Sequence, residues 1–159
     1  MTKEEFKEFC ISEFKKRGFV KKRSVYYLSG EEILCSLSLQ KSMAEAFYIN
    51  VDYYIGKFTN IKEYPSIYEA DFSKRITVLS RDTIDGKHFM DAQIEYDYYK
   101  KEEIEPYLND CFNQYILPAI KNEKTYILEH KEYFLSAVFE KDLPQVLEKL
   151  MKDSQQTKN

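Results

Sequence analysis

Apolar residues fall at every second position along two successive runs, Ile33, Cys35, Leu37 and Leu39, then Phe47, Ile49, Val51, Tyr53 and Ile55. Alternate side chains of a pleated strand point to opposite faces, so this spacing writes two strands with one apolar face and one polar face. An antiparallel hairpin covered on one side and wet on the other satisfies both. Parity restricts its register, because opposed residues share a face and the two apolar sets have to coincide. A loop of Ser42-Met43-Ala44 meets that condition by pairing Leu39 with Phe47, Leu37 with Ile49 and Cys35 with Val51. The other face then carries Ser36, Ser38 and Gln40 beside Tyr48 and Asn50.

The rest of the chain is punctuated by its four glycines, Gly18, Gly30, Gly56 and Gly86. Thr2 and Glu5 form a capping-box pattern, and Phe6, Phe9, Cys10 and Phe14 recur at helical spacing, which predicts a helix over residues 3–17 with Gly18 as its left-handed cap. Residues 24–28 read as a strand turned back at Gly30-Glu31 in a type II′ turn, with Leu28 facing Ile33 and Tyr26 facing Cys35. Residues 57–74 hold no period, and Pro65 among scattered tyrosines and phenylalanines predicts an ordered loop packed by its aromatics. Two more strands are expected over residues 75–80 and 89–96, with Asp85-Gly86 as a turn. After Lys100 the period becomes helical: Leu108, Cys111, Phe112, Tyr115, Ile116 and Ala119 share a face, which Pro118 kinks or ends. Helices over 125–139 and 143–152 follow, the second begun by Asp142 with Pro144 in its first turn. Segregated strands and helices define an α+β class: an N-terminal helix, a four- to five-stranded antiparallel sheet covered on one face by helices, and a helical C-terminal third. Residues 1–152 are expected to form one domain, and 153–159 a polar, frayed tail.

Composition excludes several function classes. A net charge of -3 and a pI near 5.6 argue against nucleic acid as a partner, since phosphate binding needs a clustered positive field. The charge is uneven all the same, with eight Lys/Arg against four Glu over residues 1–24 and eight Asp/Glu against three Lys over 85–110. The basic triplets at 15–17 and 21–23 read as cations at a helix C-terminus and on a polar strand edge; an acidic protein partner and, behind it, nucleic acid are the functional alternatives. No run is apolar enough to span a membrane and no signal-peptide pattern opens the chain, so no membrane partner and a cytoplasmic location are expected. Cys10, Cys35 and Cys111 are odd in number and far apart, and read as small buried hydrophobes. His88 and His130 are the only histidines, the carboxylates at Glu102-Glu103 suit a helix start, and the glycines form no phosphate loop. No catalytic residue, metal ligand set or cofactor is therefore assigned, and the sequence leans away from an enzyme without deciding it.

What remains is the polar sheet face. Gln40 and Asn50 are poor strand formers placed in strong strands, and Tyr48 between them offers large contact area at low entropy cost. Gln40, Lys41, Ser42, Tyr48 and Asn50 are the candidate partner-binding residues of a protein-binding module of the immunity or antitoxin kind. The alternative is a small-molecule binder or weak hydrolase with a pocket between the 57–74 loop and the sheet, using Tyr64, Tyr68, Arg75 and His88. Oligomeric state is not readable.

Four segments, Phe14-Lys-Lys-Arg-Gly-Phe19, Leu39-Gln-Lys-Ser42, Phe47-Tyr-Ile-Asn-Val51 and Tyr115-Ile-Leu-Pro118, together resemble the bacterial domain-of-unknown-function family 4304. The resemblance implies a small α+β protein of the bacterial cytoplasm with no agreed activity, and it supplies no catalytic residues. Met43-Ala44-Glu45 departs from the aromatic and Gly/Asn character of the turn that follows Gln-Lys-Ser in that family.

Overall fold

The computed structural model describes residues 1–152; the expected tail at 153–159 lies outside them. Helix α1 (Lys3–Lys16) starts where the capping box placed it. The Glu5 N–H donates to the Thr2 hydroxyl at 3.1 Å and the Thr2 N–H to the Glu5 carboxylate at 2.7 Å, satisfying two donors that no helical carbonyl can reach. The helix ends at Gly18, whose φ of +91° suits a residue without Cβ. Its inner face, Phe6, Cys10 and Phe14, is fully buried.

Five antiparallel strands form the main sheet in sequence order: β1 (Val20–Lys22), β2 (Val25–Ser29), β3 (Ile33–Lys41), β4 (Phe47–Ile55) and β5 (Phe72–Arg75). The alternation in β3 and β4 is real, and all of Ile33, Cys35, Leu37, Phe47, Ile49, Val51 and Tyr53 are buried in one core cluster with α1 and the C-terminal helices. Their register differs by two residues from the expected one: Leu39 pairs with Ile49, Leu37 with Val51 and Cys35 with Tyr53. Parity is blind to a shift of two, which preserves both faces. The loop is longer because Ala46 is itself buried, with its carbonyl accepting from Ser42 N–H at 3.0 Å, and because Phe47 exchanges hydrogen bonds with Ile94 at 3.0 and 2.9 Å. The β2–β3 turn is offset in the same way, so that Leu28 faces Cys35 and Tyr26 faces Leu37.

Two further corrections concern the strands. The segment expected to be loop as far as residue 74 contributes β5, and the predicted strands at 75–80 and 89–96 are instead β6 (Val78–Ile84) and β7 (Lys87–Asp91), a separate two-stranded ribbon. Its turn is Asp85-Gly86, with φ of 52° and 75°, the left-handed pair that a two-residue hairpin loop demands. The second face of the sheet is also not wet throughout. Tyr27, Leu34 and Tyr54 are apolar residues in the polar register, and Phe58, Ile61, Tyr64 and Ala70 of the 57–70 loop pack over them. The Tyr27 and Tyr64 rings lie 4.7 Å apart, and the Tyr27 hydroxyl donates to the Pro65 carbonyl at 2.6 Å. Burying those rings under the loop leaves only the other end of the face open.

The C-terminal third comprises α2 (Lys101–Cys111), a π turn over Phe112–Ile116, α3 (Leu117–Glu129), α4 (Lys131–Phe134) and α5 (Leu143–Met151). Pro118 has no N–H to return to the Gln114 carbonyl four residues earlier, and the chain accommodates it with the π turn rather than a break. The Tyr126 hydroxyl donates to the Gln114 carbonyl and the Tyr53 hydroxyl to the Tyr115 carbonyl, the latter at 2.9 Å. A second irregularity, Glu123 with φ 60° and ψ -145°, divides α3. Asp142 was expected to cap α5, but its side chain makes no capping bond and its backbone is already helical. The 131–137 segment packs beside β5, with Lys74 Nζ donating to the Tyr133 carbonyl at 2.9 Å, whereas all three residues of β1 are exposed.

Candidate functional site

Side chains from three strands and one loop meet on the open end of the polar face. Gln40 leaves β3, Tyr48 and Asn50 leave β4, and Arg75 leaves β5 directly opposite Asn50. The guanidinium lies over the Tyr48 ring with Cζ 3.9 Å from its centroid, a stack that holds Arg75 flat against the sheet. Arg75 Nε donates to Asn50 Oδ1 at 3.1 Å and Nη2 to Gln40 Oε1 at 3.3 Å, and Asn50 Nδ2 donates to the same Gln40 oxygen at 3.0 Å. From outside the sheet the Tyr48 hydroxyl donates to Gln93 Oε1 at 3.0 Å. The result is a closed hydrogen-bonded network that fixes four side chains on a rigid support while Gln40 and Arg75 remain exposed.

Next along the face lies Asp52, only 5% exposed, which accepts a hydrogen bond from its cross-strand partner Ser73. Burial raises the pKa of its carboxyl, against which the hydroxyls of Ser73 and Ser36 pull it down. Asp52 marks the border between the open end and the part sealed by the loop. A shallow cleft of about 490 Å³ follows this border, lined by Asn50, Asp52, Ser73, Lys74, Arg75 and Ala137. Lys74, whose pKa is lowered by burial, is committed to the Tyr133 carbonyl and to Ser136 Oγ at 3.1 Å.

Of the five candidate residues, the structure brings Gln40, Tyr48 and Asn50 together. Lys41 is exposed but has the parity of the apolar face, and Ser42 turns into its own loop, accepting from the Ala44 N–H at 3.0 Å. Arg75 and Gln93 complete the network. From the sequence Arg75 suggests only the alternative pocket, and Gln93 lies past the ribbon, where no period points at Tyr48. The residues of that pocket do not converge. Tyr64 lies tilted against Tyr27, Tyr68 is fully exposed, and His88 lies on β7 with its Nδ1 3.3 Å from the Asp82 carbonyl. The basic triplets are dispersed as well. Arg17 folds onto Glu13 and Asn109 and over the Phe112 ring, while Lys22 lies over Tyr64. Among the described residues no group of three or more His, Cys, Asp or Glu side chains is placed to hold a metal ion, and no helix is long and apolar enough to cross a membrane.

An α+β domain with a networked polar sheet face is the class these features define. The chain belongs to the family described as domain of unknown function (DUF4304), whose model matches residues 11–127, a span that contains every strand and the whole network. No curated protein and no solved structure matches the chain.

Proposed function

We propose that this chain is a non-enzymatic protein-binding module of the bacterial cytoplasm, of the immunity or antitoxin kind, and that its contact surface is the open polar face centred on Gln40, Tyr48 and Asn50. The observation that carries this reading is the network itself. Exposed side chains ordinarily keep their rotamer freedom and lose it on binding, whereas here one stack and four hydrogen bonds already hold them in place. An aromatic and an arginine, the residue types that anchor interfaces, stand at its centre. A cytoplasmic location accords with three unpaired cysteines, two of them buried.

The test is affinity capture from the native cell with quantitative identification of the proteins recovered, using the wild-type chain and the Tyr48→Ala/Asn50→Ala double variant. Loss of a specific protein from the variant supports the face as the contact surface. Equal recovery by both removes it.

A further inference from the structure

We infer that the open face is built to receive an acidic side chain of a protein partner, taken on the free edge of the Arg75 guanidinium; the inference rests on the protein-binding reading and names the chemistry of its contact. The argument is an inventory of donors and acceptors. Every amide oxygen of Gln40, Asn50 and Gln93 is engaged inside the network: Gln40 Oε1 accepts twice and is saturated, Asn50 Oδ1 and Gln93 Oε1 accept once each. On Gln40 and Arg75, the two exposed members, what is left is donors. They are both N–H groups of Arg75 Nη1, the second N–H of Nη2, and the two N–H groups of Gln40 Nε2. An exposed pair with donors to spare and no open acceptor is complementary to oxygen acceptors.

Charge sharpens this to a carboxylate. Arg17 and Arg81 each lie 2.6 Å from a carboxylate oxygen, of Glu13 and Glu103 respectively. Arg75 has no ion-pair partner among the described residues; it is oriented by two neutral amides and a ring. An acid at position 40 or 50 would hold the side chain at least as firmly and would cancel its charge. Amides fix the orientation and leave the charge, with Nη1 and Nη2 presented as the end-on fork that a carboxylate takes bidentately. Asp52, the nearest acid on the face, is bonded to Ser73 and almost wholly buried. The fork lies on an open sheet, not in an enclosed cavity, so the carboxylate has to arrive with surrounding contact area, as a side chain on a protein surface does.

The experiment is selection of a random dodecapeptide display library on the purified wild-type chain, with the Asn50→Asp variant as the depleting surface. Asn50→Asp supplies an internal carboxylate to Arg75, and thermal unfolding checks that it folds; Gln40→Glu is the second variant of the same design. The expected result is enrichment of peptides with Asp or Glu at one fixed position. Synthetic versions should bind the wild type about tenfold more tightly than Asn50→Asp, Gln40→Glu or Arg75→Gln, and lose the same factor when the acid is replaced by its amide. Peptides that carry no common acid, or that bind Asn50→Asp and Arg75→Gln as well as wild type, overturn the carboxylate assignment; if these are still lost with Tyr48→Ala, the face itself stands. Peptides indifferent to Tyr48→Ala and Asn50→Ala, or no enrichment at all, overturn both.

Discussion

The Glu123 carboxylate occupies the space that a side chain at Gly30 would fill. A Cβ built at Gly30 would lie 2.4 Å from Glu123 Oε1 and 2.6 Å from the Ile120 carbonyl. The carboxylate is there because three backbone donors need it: it accepts from the N–H groups of Glu31, Glu32 and Ile33 at 2.9, 3.2 and 2.8 Å. Glu123 reaches them from a left-handed backbone at φ 60°, a conformation that costs on the order of 1–3 kcal/mol and that the three charge-assisted bonds offset. Lys124 adds an ion pair to Glu32 at 3.4 Å. The turn between β2 and β3 is thus set by a residue of the last third of the chain.

Gly30→Ala is therefore expected to destabilise the fold by about 1–3 kcal/mol, since one of the two close atoms is backbone and cannot rotate away. Urea unfolding measures it. An unchanged midpoint would mean that α3 does not lie against the turn.

Tyr126 and Pro118 should be energetically coupled. Tyr126→Phe strips the donor from the Gln114 carbonyl and is expected to cost about 1 kcal/mol. In a Pro118→Ala background the restored N–H can serve that carbonyl, so the same change should cost much less. A double-mutant cycle reads the difference, and strict additivity would refute the account given for the π turn.

Asp52 should make stability depend on pH in a stated direction. Burial raises its folded pKa above the unfolded value, so the folded state favours the protonated form. The stability this contributes is complete below the ordinary carboxylate range and is lost as pH rises through the raised folded pKa. Asp52→Asn, always neutral and still able to accept from Ser73, should exceed wild type in urea midpoint at neutral pH and converge with it in acid. A gap of constant size across that range would contradict the assignment.

Cysteine chemistry gives a fourth test. Cys10 and Cys35 are fully buried with thiol pKa values raised by burial, and that of Cys111 is pushed up to about 12 by the same cause. Thiolate is the reactive form, so alkylation by iodoacetamide at neutral pH should be slow in the native protein and rise with denaturant along the unfolding curve. Rapid labelling of Cys35 in the native state would show that the sheet and the helices covering it separate.

Local patterns were legible where chain neighbours decide the outcome. The Thr2–Glu5 box, the Gly18 cap, the Asp85-Gly86 turn and the alternation of β3 and β4 each depend on a few adjacent residues, and all stand in the structure. The features that escaped are settled by distant partners. The register of β3 on β4 depends on the Phe47–Ile94 bridge as well as on parity, the β2–β3 turn on Glu123, and the sealing of half the polar face on where the 57–70 loop lands. The site divides in the same way. Gln40, Tyr48 and Asn50 follow from strand parity, whereas the placement of Arg75 among them requires knowing that Phe72–Arg75 is a strand beside β4. Tyr54 and Leu34 carried the one available signal that the face is not wet throughout, being large and apolar in the polar register.

The uneven treatment of the two margins of the main sheet limits how copies of this molecule can join. Growth of a sheet from chain to chain needs two free margins on every member, one to give and one to receive. Here the 131–137 segment lies beside β5 and is tied to it through Lys74, whereas the three-residue, lysine-bearing margin of β1 is exposed throughout. Edge pairing between copies at this sheet is therefore expected to run through β1, where two such margins make a pair.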